Sequence, residues 1–235
     1  MEPQQVTGNQ ALHLIADPWL SKGWGFRHLW IGYSGSGKTF ANAQLAAYTV
    51  KQGIVTISVD QKSKISRYSA NCIDTEDALA EFKGRSCVIR GFASRGRMAD
   101  RVDFNSLAKM VWVLAKSGLR VALMVDELSD AQKSERHFDR PAGTYPWMET
   151  LYRQGREMTI SLGVATQLPQ EIPRCAYSLS DSVAFFRQEA HESEYYRRVG
   201  IMSDEDIAYV AALPQWSFML WRRGDPKRYV GVFKP

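Results

Sequence analysis

Short, continuous apolar runs alternate along the chain with longer segments whose apolar residues recur every three or four positions. Runs of the first kind are typical of strands buried on both faces of a sheet, whereas the second pattern is typical of helices that cover a sheet. The predicted strands are 29–31, 53–60, 87–92, 121–125, 160–167 and 182–187. The predicted helices are 40–51, 74–82, 104–117, 146–158, 189–199 and 204–212. The alternation predicts an α/β fold with a central, mainly parallel sheet flanked by helices.

The two ends of the chain depart from this alternation. Residues 1–27 are polar at first and then aromatic among glycines, which predicts an irregular N-terminal arm ahead of a single domain at 28–235. The aromatic residues of the arm could clamp a nucleotide base, contact a neighbouring subunit or cover a sheet edge, and covering the edge is favoured. Near the other end, alternating segments at 216–222 and 228–233 flank the turn Gly224-Asp225-Pro226, which predicts a terminal β-hairpin.

A glycine-rich segment from Gly32 to Thr39 fits the P-loop pattern GxxxxGK[ST] at every fixed position. It follows the apolar run 29–31 and precedes a helix whose apolar face is predicted to contain Phe40, Ala43, Ala47 and Val50. In such a loop the glycines let backbone N–H groups converge on a phosphate, and the helix N-terminus adds its positive end. The lysine reaches the β- and γ-phosphates and the threonine hydroxyl holds Mg²⁺. We therefore predict a site for ATP and Mg²⁺ that uses Gly32, Tyr33, Ser34, Gly35, Ser36, Gly37, Lys38, Thr39 and Phe40.

A second motif follows the apolar run 121–125, which leads directly into Asp126 and Glu127. A central parallel strand ends in this way when it meets a catalytic edge, and after a P-loop the pattern predicts a Walker B strand. Asp126 is then the Mg²⁺ ligand, and Glu127 polarises the attacking water. The strands between the two motifs imply that the chain crosses the sheet before the Walker B strand comes beside the P-loop strand. This arrangement occurs in ATPases that carry an additional catalytic Glu.

Composition adds little to this picture. The net charge of +5 and the pI near 9.1 favour an anionic partner but are weak evidence for nucleic acid. The three cysteines and four histidines are scattered, so neither a disulfide framework nor a zinc site is expected. We predict a soluble, cytoplasmic protein, because no apolar run approaches membrane-spanning length and the N-terminus lacks a signal-peptide pattern.

The segment that follows the Walker B strand resembles the corresponding part of the FtsK–HerA superfamily, whose members are ring-forming motor ATPases that pump DNA. The matching residues are Leu151-Tyr152-Arg153-Gln154-Gly155-Arg156, Ile160, Leu162 and Ala165-Thr166-Gln167-Leu168-Pro169. Thr159 departs from the family, which has glycine there. Asp60-Gln61-Lys62 and the hairpin with Asp225-Pro226 extend the resemblance over roughly residues 28–234.

The resemblance implies a RecA-like P-loop domain of the additional-strand class and assigns roles to particular residues. Arg156 first, and Arg153 second, would be the arginine finger that stabilises charge on the γ-phosphate bound by a neighbouring subunit. Gln167 would sense the γ-phosphate or orient the water. Lys38 and Glu127 complete the predicted catalytic set. Each arginine could instead form a surface ion pair, and Gln167 could be an ordinary polar residue at a strand end.

The resemblance also implies an assembly and a substrate. We expect a homo-oligomeric ring, a hexamer or pentamer, that translocates double-stranded DNA. A bare motor core of this size resembles a viral genome-packaging ATPase, with a capsid portal or vertex protein as a docking partner. DNA contacts are expected from two basic loops, which contain Arg95, Arg97, Arg101, Lys133, Arg136 and Arg140. Such loops hold DNA by its phosphates without reading sequence.

Two other functions stay open at this point. One is a motor for single-stranded DNA of the export or conjugation type. The other is a P-loop kinase for a small molecule, for which the polar segment 129–143 would be the lid. Stimulation of ATP hydrolysis by long DNA, without a phosphorylated small product, separates a motor from a kinase.

Overall fold

The fold is described by a computed structural model over residues 3–60, 72–73, 87–90, 104–128, 147–167, 170, 174–189, 196–197 and 200–234. The predicted helix at 74–82, most of that at 189–199 and the polar segment 129–143 lie outside these residues. The six basic residues of the two predicted DNA loops also lie outside them.

The strands are β1 Gln4–Thr7, β2 Arg27–Ile31, β3 Val55–Asp60, β4 Cys72–Ile73, β5 Cys87–Arg90, β6 Val121–Val125, β7 Ile160–Thr166, β8 Ser182–Phe186, β9 Ser217–Arg222 and β10 Tyr229–Val232. The helices are α1 Gly8–Leu20, α2 Lys38–Lys51, α3 Phe104–Lys116, α4 Trp147–Gln154, α5 Arg174–Ser178 and α6 Asp204–Ala211. Among the described residues, no helix combines the length and the apolar character needed to cross a bilayer.

Within the described ranges, ten strands form one sheet in the order β1-β10-β9-β8-β2-β7-β6-β3-β5-β4. Each pairing is parallel except those of β9, which runs antiparallel to β8 and β10. The mainly parallel α/β sheet and the terminal hairpin are therefore confirmed. The P-loop strand β2 and the Walker B strand β6 are not adjacent, because β7 lies between them and pairs with both. This is the extra strand of the predicted ATPase class.

The sheet is buried on both faces by two separate hydrophobic clusters. Strand β6 shows why its sequence is continuously apolar: Leu123 belongs to one cluster and Met124 to the other, and both are 0% exposed. Helices α3 and α4 contribute to the first cluster, and α1 and α2 to the second. Because both faces are covered, a ligand can reach the central strands only at their ends. In open α/β sheets ligands bind at the carboxyl ends.

The prediction of an irregular N-terminal arm is wrong. Strand β1 extends the sheet by parallel pairing with β10, and α1 then packs its apolar side into the core. The start of α1 is fixed by a capping box, in which Thr7 and Gln10 each bond the backbone N–H of the other. Leu12 and Ile15 are buried beside it. The capping pair and the spacing of these apolar residues were the local signals for a helix.

Helix α2 was predicted correctly, but its buried face was not. Val50 is 46% exposed, whereas the polar Asn42 and Thr49 are 0% exposed. Asn42 accepts a hydrogen bond from the indole N–H of Trp30 at 3.2 Å, and the Thr49 hydroxyl donates to a carbonyl of its own helix at 2.8 Å. Because each of these polar side chains has a hydrogen-bond partner inside the protein, it can occupy a core position that a purely apolar pattern does not reveal.

Gly25 marks a close approach of two backbone segments, since a Cβ at this position would lie 1.9 Å from the carbonyl oxygen of Ile160. We expect Gly25→Ala to lower the free energy of unfolding by about 3 kcal/mol, because a backbone clash forces β2 and β7 apart. Urea denaturation measures this change. Gly23→Ala is the matched control: its φ is +74° with open space around it, so only a left-handed penalty of about 1 kcal/mol applies. Equal losses in the two variants would contradict the clash.

Candidate nucleotide-binding site

The P-loop turns from β2 into α2 at Gly37, whose φ of 115° is left-handed. A Cβ at Gly37 would also lie 2.9 Å from Cε3 of Trp216, so glycine is required by both conformation and space. The carbonyl of Gly37 accepts the N–H of Ala41 at 2.9 Å, which starts the helix immediately after the loop. Backbone N–H groups at the first turn of α2 therefore point toward the space above the loop, as an anion site requires.

Lys38 lies within the loop rather than in solvent. Its side chain is buried, and its Nζ donates hydrogen bonds to the carbonyl oxygens of Gly32 at 2.6 Å and Tyr33 at 2.9 Å. The ammonium is thereby held where a phosphate would meet the loop. A phosphate oxygen is a better acceptor than a neutral carbonyl, so a bound nucleotide can draw the ammonium onto itself with little rearrangement.

Asp126 and Glu127 lie at the carboxyl end of β6, and each is 4% exposed. Glu127 Oε1 accepts the backbone N–H of Gln167 at 3.2 Å. In the sheet register Val125 is opposite Val164 and Ile31 is opposite Thr166. The structure therefore brings the start of the P-loop, Gln167 and the two carboxylates to one edge of the sheet.

The oxygens at this edge suit a magnesium ion. The half-buried Thr39 follows the P-loop lysine, and the Asp126 carboxylate follows β6. Hydroxyl and carboxylate oxygens are the ligands that Mg²⁺ takes while it keeps several waters and binds phosphate oxygens. The donor set of this chain thus fits the predicted cofactor.

Arg153 lies in the last turn of α4 and Arg156 lies between α4 and β7, so both are at the opposite edge, where β7 begins. Seven residues of β7 separate that edge from Gln167, a distance of roughly 20 Å. Neither side chain shares an edge with the P-loop of its own chain, so contact with a nucleotide requires one bound to another copy. Arg153 is 48% exposed and pairs with Glu149 one helical turn away at 2.7 Å.

Arg156 has a different environment, because it pairs with the Asp181 carboxylate, which is 0% exposed. Asp181 also accepts the backbone N–H of Arg27 at 2.9 Å and its guanidinium at 3.3 Å. The Arg156 guanidinium lies over the Trp19 ring, with its Cζ 4.2 Å from the ring centroid. Burial, followed by the charges of Arg27 and Arg223, lowers the pKa of Arg156 to about 10, so the group stays cationic at neutral pH.

Sequence reasoning missed Asp181, Arg27 and Trp19 as partners of Arg156. None of them belongs to a motif, and Arg27 and Asp181 are 154 positions apart in the chain. The only local signal was the position of Asp181 directly before the apolar run of β8. Strand pairing decides the contact, since β8 and β2 are parallel neighbours with His28 opposite Ser182.

The aromatic residues before β2 lie at the same amino edge as Arg156. Trp19 and Trp24 stack with ring centroids 6.4 Å apart, while Phe26 is fully buried. The backbone N–H of Gly25 donates to the Arg156 carbonyl at 3.1 Å, which places this group away from the P-loop. A clamp on the base of the same chain's nucleotide is therefore excluded, whereas contact with a neighbouring subunit stays a prediction, since Trp24 is 43% exposed.

The sequence matches no protein-family model, and no curated protein is similar to it in sequence. Solved structures are similar in fold. The genome-packaging NTPase B204 of Sulfolobus turreted icosahedral virus 2, in complex with AMPPCP, superposes with a TM-score of 0.66 at 18% identity, over 90% of this chain and 98% of that chain. The DNA-packaging ATPase B204 of Sulfolobus turreted icosahedral virus gives 0.65 at 20% identity, over 89% and 97%. The plasmid coupling protein TrwB, in complex with the ATP analogue ADPNP, gives 0.64 at 10% identity, over 99% and 93%.

The chain shares its fold with these proteins. The likeness covers nearly the whole of each partner, so the similarity concerns an entire domain and not a P-loop fragment. The likeness shows the fold, and it is consistent with the FtsK–HerA resemblance of the segment after the Walker B strand.

Asp181 offers a test of the charge cluster at the amino edge. We expect Asp181→Asn to lower the free energy of unfolding by about 3–5 kcal/mol, because Arg27 and Arg156 lose the buried counter-charge that they share. Glu149→Gln breaks the exposed helix pair and should cost less than about 1 kcal/mol. Urea denaturation of both variants at neutral pH makes the comparison. A loss at Asp181 no larger than that at Glu149 would show that the cluster is not structurally important.

Proposed function

We propose that this protein is an ATPase that uses hydrolysis to translocate double-stranded DNA, as a genome-packaging motor of viral type. One observation carries the proposal: the P-loop, the Asp126–Glu127 pair and Gln167 meet at one sheet edge, with Glu127 bonded to the backbone of Gln167. This is the group of side chains that phosphoryl transfer to water requires. The shared fold of two viral packaging ATPases and a coupling protein supports DNA as the substrate.

The proposed chemistry assigns a step to each group. The P-loop backbone and Lys38 bind the phosphates, and Thr39 and Asp126 would hold Mg²⁺, which would supply positive charge to the triphosphate. Glu127 accepts a hydrogen bond from the attacking water and turns it toward the γ-phosphate. Its own orientation is set by the hydrogen bond from Gln167, so the end of β7 can transmit a change at the γ-phosphate to the carboxylate.

A neighbouring subunit is proposed to supply an arginine. Each chain has Arg153 and Arg156 at the sheet edge opposite its own P-loop, and stacking copies in a ring can bring that edge to the next chain's nucleotide. Arg156 pairs with the buried Asp181, whereas the side chain of Arg153 is about half exposed and pairs with Glu149 on its own helix. Because withdrawing a guanidinium from a surface ion pair costs less than withdrawing one from a buried carboxylate, Arg153 becomes the stronger candidate of the two.

The alternative is a motor of the conjugation type that acts on single-stranded DNA. The fold supports this alternative almost equally, since TrwB and B204 superpose with TM-scores of 0.64 and 0.66. A small-molecule kinase receives no comparable support, because the solved structures that share the fold are packaging ATPases and a plasmid coupling protein.

The first test measures ATP hydrolysis with and without DNA. We expect long double-stranded DNA to stimulate turnover several-fold in the presence of Mg²⁺, with single-stranded DNA less effective and the particle mass corresponding to a pentamer or hexamer. Glu127→Gln is the control: it should bind ATP with wild-type affinity and lose at least about 100-fold in turnover, because general-base catalysis contributes on that scale. A monomer that DNA does not stimulate would overturn the motor proposal, and preferential stimulation by single strands would favour the alternative.

The second test asks whether sites are shared between subunits. We expect Arg153→Ala and Glu127→Gln proteins, each inactive alone, to recover a fraction of wild-type turnover when mixed, because some interfaces then combine an intact Glu127 with a neighbour's intact Arg153. Turnover is measured over a range of mixing ratios.

Arg156→Ala mixed with Glu127→Gln provides the comparison. Since Arg156→Ala also removes one of the two guanidiniums that pair with the buried Asp181, a thermal melt must first show that this variant is folded. Rescue by one arginine variant and not the other identifies the finger. Absence of rescue with both, in assembled rings, would indicate a site completed within one chain.

A further inference from the structure

The predicted catalytic groups occupy only one side of the P-loop. Glu127 and Gln167 lie on the side of β7 and β6, and the sheet order places β8 and β9 on the other side of β2. A triphosphate whose γ-phosphate faces Glu127 must direct its opposite end away from that carboxylate. The nucleoside is therefore expected over the carboxyl end of β8 and the adjoining start of β9.

Trp216 lies at that place. It immediately precedes β9, which runs antiparallel to β8 with Phe218 opposite Phe186, so it shares the carboxyl edge with the P-loop. Its half-buried ring packs against Gly37, as described above, and meets the Phe40 ring at 90° with centroids 6.1 Å apart. Phe40 lies two residues after the P-loop lysine. In a P-loop, this end of the loop faces the α-phosphate side of a bound nucleotide.

The backbone at Trp216 is strained. Its φ of 68° is left-handed, a conformation that a bulky residue without a local hydrogen-bonding side chain rarely adopts. Two backbone hydrogen bonds hold the segment: the Trp216 carbonyl accepts the N–H of Phe233 at 3.0 Å, and the Pro214 carbonyl accepts that of Ser217 at 3.1 Å. Strain of this kind persists where the surrounding structure enforces it, and it concentrates at ligand sites.

Gln188 is an independent observation on the same side. It follows β8 by two residues and is 2% exposed, yet both its Oε1 and its Nε2 have no hydrogen-bond partner among the described residues. The preceding residue, Arg187, accepts the N–H of Tyr33 with its carbonyl at 3.5 Å, so this segment adjoins the P-loop. A buried amide without partners is costly, and a ligand that bonds to it removes the cost.

We infer that Trp216 and Gln188 form the nucleoside subsite of this ATP site. The inference rests on the proposed function and extends it from the phosphates to the base. Trp216 supplies an aromatic face for the base, which every base accepts and which therefore adds affinity. Gln188 presents a donor and an acceptor side by side, the arrangement that pairs with the edge of adenine and discriminates among bases.

The test of Trp216 compares ATP with inorganic tripolyphosphate, which has the phosphates but no nucleoside. Binding of each to the full chain is measured by calorimetry with Mg²⁺ present. We expect Trp216→Gly to weaken ATP binding about ten-fold or more, the range for loss of one stacked base, and to change tripolyphosphate binding less than about two-fold. Glycine is chosen because it accepts the φ of 68° without strain. Trp216→Phe retains an aromatic face and should retain most of the affinity.

An equal loss for both ligands would show that Trp216 only braces the P-loop, and no loss for ATP would show that it does not contact the nucleotide. Either result overturns its place in the subsite while ATP binding by the wild-type chain still stands. A wild-type chain that binds neither ligand would instead overturn the proposed function.

Gln188 is tested by selectivity. Gln188→Ala should bring the ratio of ATP to GTP affinity close to one, whichever base the wild-type chain prefers, while tripolyphosphate binding and the melting temperature do not fall. We expect no loss of stability, because the buried amide that the substitution removes has no hydrogen-bond partner among the described residues. An unchanged ratio would remove Gln188 from the subsite.

Discussion

The position of β7 between β2 and β6 is the constraint on which the rest of the structure depends. Parallel pairing on both sides fixes the register of β7 with the P-loop strand and with the Walker B strand at once. The carboxyl end of β7 then has to lie between the two motifs, and Gln167 bonds to Glu127 there. The amino end has to lie at the far edge, and with it Arg153 and Arg156. One strand therefore separates the P-loop, the acidic pair and Gln167 from Arg153 and Arg156.

The charged side chains have different surroundings at the carboxyl edge and at the amino edge of the sheet. At the carboxyl edge, the Lys38 ammonium donates hydrogen bonds to the carbonyl oxygens of Gly32 and Tyr33 in the loop. At the amino edge, Arg27 and Arg156 share the single carboxylate of Asp181, and Trp19 covers one of the guanidiniums. Arg156 has little freedom to move, because its withdrawal would leave part of the buried Asp181 charge uncompensated. Arg153 is not held in this way, since its ion pair with Glu149 lies on the helix surface.

The terminal hairpin connects the C-terminal part of the chain to the P-loop. Because β9 runs antiparallel to β8, the turn that leads into β9 returns to the carboxyl edge and places Trp216 against Gly37. The N-terminal strand β1 extends the sheet beyond β10. Both ends of the described chain are thus built into the same sheet as the P-loop, although one of them had looked irregular in sequence.

The motifs could be read from the sequence because each depends on adjacent residues. A P-loop needs glycines and a lysine at fixed spacing between a strand and a helix, and a buried parallel strand needs an uninterrupted apolar run, so β2, α2 and β6 followed directly. The capping residues of α1 were also visible in the sequence. The polar residues at the start of the helix and Pro18 within it nevertheless pointed away from a helix. The tertiary structure alone decided the strand order, the burial of Asn42 and Thr49, the partners of Arg156 and the approach of Trp216 to the P-loop. These features join residues far apart in the chain, and the energy of a hydrogen bond or ion pair depends on which strands become neighbours and on how completely water is removed around them.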